Sequence, residues 1–182
     1  MYFDSTGKTN TRNTIDLAIK TAEERNIKNI VVASASGDTA ELIGKPNDIN
    51  VICVTRVHGF AEPGKSEMRQ EIRSELSDLG IKVLTTTHAL SGAERGISKS
   101  FGGAYPVEII AHSLRMLGQG TKVCVEVSIM ALDAGLIPYG EPIIAIAGSG
   151  KGADTAVIIT PSHASSIFET KIHEIICKPS RF

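Results

Sequence analysis

The sequence predicts an α/β protein, a sandwich of helices about a mostly parallel sheet. Helical and extended segments alternate along the chain. The extended segments are short, β-branched and apolar on both sides, as strands covered on two faces are. Late in the chain, two such runs are separated only by a short glycine turn, which makes them antiparallel neighbours.

Thr11 to Asn26 reads as the first helix. Ile15, Leu17, Ala18, Ile19 and Ala22 mark one side, Glu23, Glu24 and Arg25 lie opposite, and Asn10 or Thr11 is placed to cap the start. Asn29 to Ser34 (NIVVAS) is a strand, and Asn50 to Thr55 (NVICVT) a second. Ser66 to Leu79 is an amphipathic helix, with Met68, Ile72, Leu76 and Leu79 on one face and Gly80 as its stop. Lys82 to Thr86 is the third strand. The glycine-rich, polar stretch Thr87 to Tyr105 reads as a long loop, a length that is often functional. Pro106 opens a helix that continues from Val107 to Leu117. Thr121 to Ala134 carries two signals: Val123, Val125 and Val127 alternate like a strand, but the length and the Ala-Leu-Asp-Ala-Gly ending favour a helix. Pro142 to Ala147, Thr155 to Thr160 and Lys171 to Cys177 complete the strands, with a turn at Gly148 to Gly152. Residues 1–182 show no repeat or linker and are expected to form a single domain.

A net charge of -1 favours no partnership with nucleic acid or anionic lipid, and the absence of Trp leaves few rings to stack on bases. No apolar run reaches the ~20 residues of a membrane span. The amino terminus lacks the pattern of a signal peptide, so a cytoplasmic protein is expected. Cys53, Cys124 and Cys177 are widely spaced among apolar neighbours, which suits buried small side chains rather than disulfides or a metal site.

The stretch VVASASGDTAEL poses the functional question. A helix beginning near Asp38 leaves its first amides without carbonyl partners, and Gly37 lets the backbone turn sharply. Ser34, Ala35, Ser36, Gly37, Asp38 and Thr39 together offer short donors and little bulk, which suits a phosphate. Asp38 opposes this unless its carboxylate points away. A plain strand-to-helix turn capped by Ser or Asp would use the same residues.

SASGDTAELI after a strand resembles the serine-rich phosphate loop of the C-terminal domain of pyruvate kinases. IAIAGSGKGADTAVIITP is similar to the last strand pair of that domain. HALSGAERGISKSFGG, PVEII, KVCVEVSIMALDAGLIP and GADTA extend the likeness, over nearly the whole length, to a family of stand-alone archaeal and bacterial proteins with this fold. The resemblance implies a three-layer α/β/α sandwich with an antiparallel last strand, and it implies FMN as ligand. It implies no particular catalytic activity. The kinase's catalytic barrel is absent from these residues.

Under that reading the FMN phosphate occupies Ser34 to Thr39. Gly148, Ser149, Gly150 and Gly152 pass close to the ribityl chain or ring, and Asp154 and Thr155 bond to ribityl hydroxyls or ring nitrogens. Arg95, flanked by Gly92 and Gly96, and with it Lys99, bring positive charge near the phosphate or a reduced flavin. His88 and His58 follow strands and are candidates for the ligand end of the sheet; His163 follows a strand that runs the other way and is discounted, and His112 and His173 read as structural. STGKTNT and GSGKGAD imitate nucleotide motifs but lack the required glycine or hydroxyl positions. Three functions remain open: a flavin-binding protein with redox activity, a sensor or carrier of a phosphorylated metabolite, and a flavin-free enzyme on a phosphorylated substrate. The apolar helix Val123 to Ala134 is expected to bury against the sheet or against another subunit.

Overall fold

The computed structural model describes residues Met1 to Phe182. The strands are β1 (Tyr2–Phe3), β2 (Asn29–Ala33), β3 (Asn50–Val54), β4 (Lys82–Leu84), β5 (Ile143–Ala147), β6 (Thr155–Thr160) and β7 (Lys171–Pro179). The helices are α1 (Thr11–Glu24), α2 (Asp38–Ile43), α3 (Gln70–Asp78), α4 (Gly92–Phe101), α5 (Pro106–Arg115) and α6 (Gln119–Asp133). Short 3-10 turns lie at Lys8–Asn10 and Ala164–Glu169.

All seven strands join one sheet in the order β1-β7-β6-β5-β2-β3-β4. β2 pairs in parallel with β3 and β5, and β3 with β4. β6 runs antiparallel to both β5 and β7, so the antiparallel pairing is confined to the last strands. Alternate side chains divide the strands between two cores. Ile30, Val32, Val51, Cys53, Ile144 and Ile146 face α1 and α2, meeting Ile15, Ala18, Ala40 and Ile43. Val31, Ile52, Val54, Ile143 and Ala145 face α5 and α6, meeting Ala111, Cys124, Ile129 and Leu132. These are the three layers that the resemblance implied.

Helix α6 settles the ambiguous segment. Twelve of its residues are buried, because the chain's own sheet covers one side and α5 another. A helix apolar nearly all round is what such a sandwiched position requires. All three cysteines are free and buried. Burial pushes the Cys53 thiol up to about 12, so it behaves as a small apolar side chain.

Two expectations are corrected and one strand is added. The stretch Thr87 to Tyr105 is not one loop: Gly92–Phe101 forms α4, an exposed helix in which Gly96 meets no neighbour. Glycines at 92, 96, 102 and 103 hid its periodicity. The second amphipathic helix begins at Gln70 rather than Ser66, since Arg69 is extended while Met68 still reaches the core. The edge strand β1 is only two residues long, too short to leave a pattern. No helix is long and apolar enough to cross a membrane.

Candidate functional site

The chain leaves β2 through α2 on one face of the sheet and enters β5 from α6 on the other. β2 and β5 are neighbours, so their connections diverge above and below the sheet. Such a switch point opens a crevice beyond the carboxyl ends of the strands. Here it has a volume of about 270 Å³ and is lined by Ala33 at the end of β2 with Ser34 and Ala35 after it, Thr55 and Arg56 after β3, and Gly148, Gly150 and Gly152 after β5.

The β2–α2 turn contributes backbone more than side chains. The Ser34 hydroxyl accepts a hydrogen bond from the Thr39 amide at 3.2 Å, so it caps α2. Gly37 has φ +101°, and a Cβ there would stand 2.4 Å from Ile72 Cγ2; the glycine is required by packing against α3 as well as by the turn. The amides of Ala35, Ser36, Gly37 and Asp38 donate to no group of the chain. Ser34 and Ala35 line the crevice, whereas Ser36 and Asp38 are exposed outside its lining and Thr39 is buried beneath.

The glycine turn is tied inward. Asp154 is fully buried; its Oδ2 accepts from the amides of Gly7 (2.9 Å) and Ser149 (3.1 Å), and its Oδ1 from the Thr155 hydroxyl (2.8 Å). Asp154 and Thr155 are thus committed to holding the turn against the amino-terminal segment. A Cβ on Gly148 would meet the Gly152 carbonyl at 2.3 Å, and one on Gly152 would meet Thr11 Oγ1 at 2.3 Å. Gly150 has open space instead.

The opposite wall carries charge. Lys122 and Glu126, one turn apart on α6, are both buried and form an ion pair, while the Leu90 amide donates to the other carboxylate oxygen at 2.9 Å. Burial pushes the Lys122 ammonium below the usual lysine range; Glu126 opposes this, and Arg115 and Arg95 add to it. Arg115 donates to Gln119 Oε1 at 2.8 Å. Neither Arg95 nor Arg115 has a carboxylate partner, while Arg56 is paired with Glu67 at 3.0 Å. The guanidinium of Arg56 lies 4.7 Å from the Phe60 ring centroid and that of Arg95 6.0 Å from it. Four cations and one carboxylate therefore line a single crevice.

His88 stands in this wall, 5.5 Å from Phe60 ring to ring. Its Nε2 accepts from the Val57 amide at 3.2 Å, which puts the ring proton on Nδ1. Burial lowers its pKa from the usual value, and Lys122, Arg56 and Arg95 lower it further against the pull of Glu126. His58 is exposed and outside the crevice. His163 contacts Asp133 at 2.7 Å and His173 contacts Thr160 at 2.8 Å. Lys99 and His112 line a separate groove between α4 and α5. Of the predicted residues, Ser34, Ala35, His88, Arg95, Gly148, Gly150 and Gly152 are brought together, and Gly96 and Ser149 are not among the lining. Sequence reasoning missed Arg56, Arg115, Gln119, Lys122 and Glu126. The last two carried a signal: they are the charged pair, at i and i+4, inside an otherwise apolar helix.

The family model described as pyruvate kinase, alpha/beta domain, matches residues 12–159. Among solved structures, a pyruvate kinase from Cryptosporidium parvum is 19% identical, covers 83% of this chain and 23% of its own, and gives a TM-score of 0.43. A second, the Cryptosporidium parvum pyruvate kinase in complex with ADP, is 18% identical with a TM-score of 0.42, covering 81% of this chain and 22% of that one. The present chain spans less than a quarter of the length of either.

Proposed function

From the fact that this chain belongs to the pyruvate kinase alpha/beta-domain family, we propose that it is a binding module for a phosphorylated ligand, FMN in the first instance, held in the crevice at the switch point. The observation that carries the proposal is the convergence there of Arg95, Arg115 and Lys122, two of them without a carboxylate partner, on a floor of small residues. Like charges gathered in one cleft repel one another unless an anion joins them. A phosphate supplies that charge, and the free Ala35 amide supplies a donor on the facing side. The residues present fit the phosphate-bearing end of FMN. Asp154 and Thr155, bonded within the chain, hold the glycine turn in place instead of meeting the ribityl chain.

Bound FMN would supply hydride or electron transfer. The protein's part is to neutralise the phosphate through Arg95 and Arg115, the two cations without a carboxylate partner, and to present His88 as a neutral ring with Nδ1–H available. A sensor or carrier of another phosphorylated metabolite would use the same cations. Calorimetry with FMN and with riboflavin tests the proposal. FMN is expected to bind at least about tenfold more tightly than riboflavin, the yield of one charge-assisted contact to phosphate. Equal affinities, or no binding of either, would refute the FMN assignment. Reduction of bound flavin by a nicotinamide separates a redox enzyme from a carrier.

A further inference from the structure

Lys122 has a burial and a partnership that an anion-binding lysine does not need. Its side chain is 7% exposed, it sits on the inner face of α6 at the crevice wall, and its ammonium is paired with Glu126 alone. Glu126 is itself clamped: the Leu90 amide holds Oε1, which leaves Oε2 on the lysine. Arg95 and Arg115 line the same crevice, and their repulsion adds to the burial that disfavours the Lys122 charge, against the pull of Glu126. A desolvated amine beside other cations, with a carboxylate in direct contact to take its proton, is the arrangement that turns lysine into a nucleophile.

We infer that Lys122 condenses with the carbonyl group of a phosphorylated aldehyde or ketone in the crevice, with Glu126 as its proton carrier. The inference rests on the reading above that the crevice accepts a phosphorylated ligand. The ammonium gives a proton to Glu126, and the freed electron pair on Nζ attacks the carbonyl carbon. The C–N bond forms as the carbonyl π pair moves to oxygen, and a proton passes from nitrogen to that oxygen. The resulting hydroxyl takes the proton held by Glu126 and leaves as water. The product is a protonated imine, Glu126 is again a carboxylate, and nothing is oxidised or reduced. Arg95 and Arg115 hold the phosphate, so that the carbonyl is presented intramolecularly.

Pyridoxal 5′-phosphate with borohydride, applied to the full chain and mapped by peptide mass spectrometry, tests this directly. Lys122 is expected to be labelled about tenfold faster than the exposed Lys151, because Lys122, unlike Lys151, has a buried carboxylate in contact to act as acid and base. Glu126→Gln keeps an acceptor for the Leu90 amide and should slow labelling at Lys122 alone; labelling at the wild-type rate would overturn the role given to Glu126. An adduct spread over exposed lysines with Lys122 bare would overturn the inference, whatever the variants do. Labelled Lys122 that excess FMN fails to protect would leave the inference standing and count against FMN as the ligand.

Discussion

On one wall of the crevice stand the small side chains of Ser34 and Ala35, at the start of a turn that runs on to Thr39 outside the lining; on the other, Arg95, Arg115, Lys122 and Glu126 converge from three segments. The first wall is contiguous in sequence and the second is assembled by folding. Much of the polarity of the small-residue side is used by the chain itself: Ser34 caps α2, and in the neighbouring turn Asp154 gathers Gly7, Ser149 and Thr155. On the far wall Lys122 and Glu126 pair with each other, while Arg95 and Arg115 have no carboxylate partner. Small polar residues at a strand end thus mark where the crevice is, while the charged groups that line it come from elsewhere.

Three experiments would break or sharpen that division. The largest effect is expected from Asp154→Ala, which strands three buried or half-buried donors at once. It should cost about 3 kcal/mol of stability, read from the midpoint of urea unfolding; a near-neutral result would mean that the glycine turn is not held from within. Next come two substitutions assayed together by FMN titration. Ser36→Asp brings a like charge beside the free amides and should weaken binding about a hundredfold. Arg115→Gln should weaken it about tenfold by removing one charge-assisted contact. Reversal of that ranking would place the phosphate wholly on the cationic wall, and indifference of both would remove it from the crevice. The smallest effect concerns pH. The pKa of His88 is depressed in the folded state, so the folded protein takes up its proton later than the unfolded chain does. Its contribution is fully present above the unfolded value of 6.5 and is lost as pH falls from there through the folded value. His88→Gln should flatten the fall in melting temperature below pH 6.5, and an unchanged slope would show that the histidine is not the group responsible.

Most of the fold was legible because its signals are local. NIVVA, NVICV and IIAIA are too short and too β-branched for anything but covered strands, and Pro106 and Gly80 punctuate helices where expected. Helix α4 escaped because its glycines mimic a loop, and β1 because two residues have no period. The site was half legible. Ser34, Ala35 and the glycines announce a crevice by their position after strands. Arg115 and Arg56 gave no signal, since nothing within their own helix or loop says that they line the crevice. Only the Lys122–Glu126 pair broke a local rule, two charges in a helix that is otherwise buried.

The two strands that frame the crevice meet late. Val31 finds Ala145 as its neighbour, and the Gly7 amide finds Asp154 across a separation of 147 residues. During synthesis β2 must wait, with one apolar edge bare, until most of the chain has left the ribosome. Contacts this remote in sequence slow folding and leave the nascent molecule open to sticking. A fragment cut before Pro142 would therefore keep its β2–α2 turn and still own no pocket.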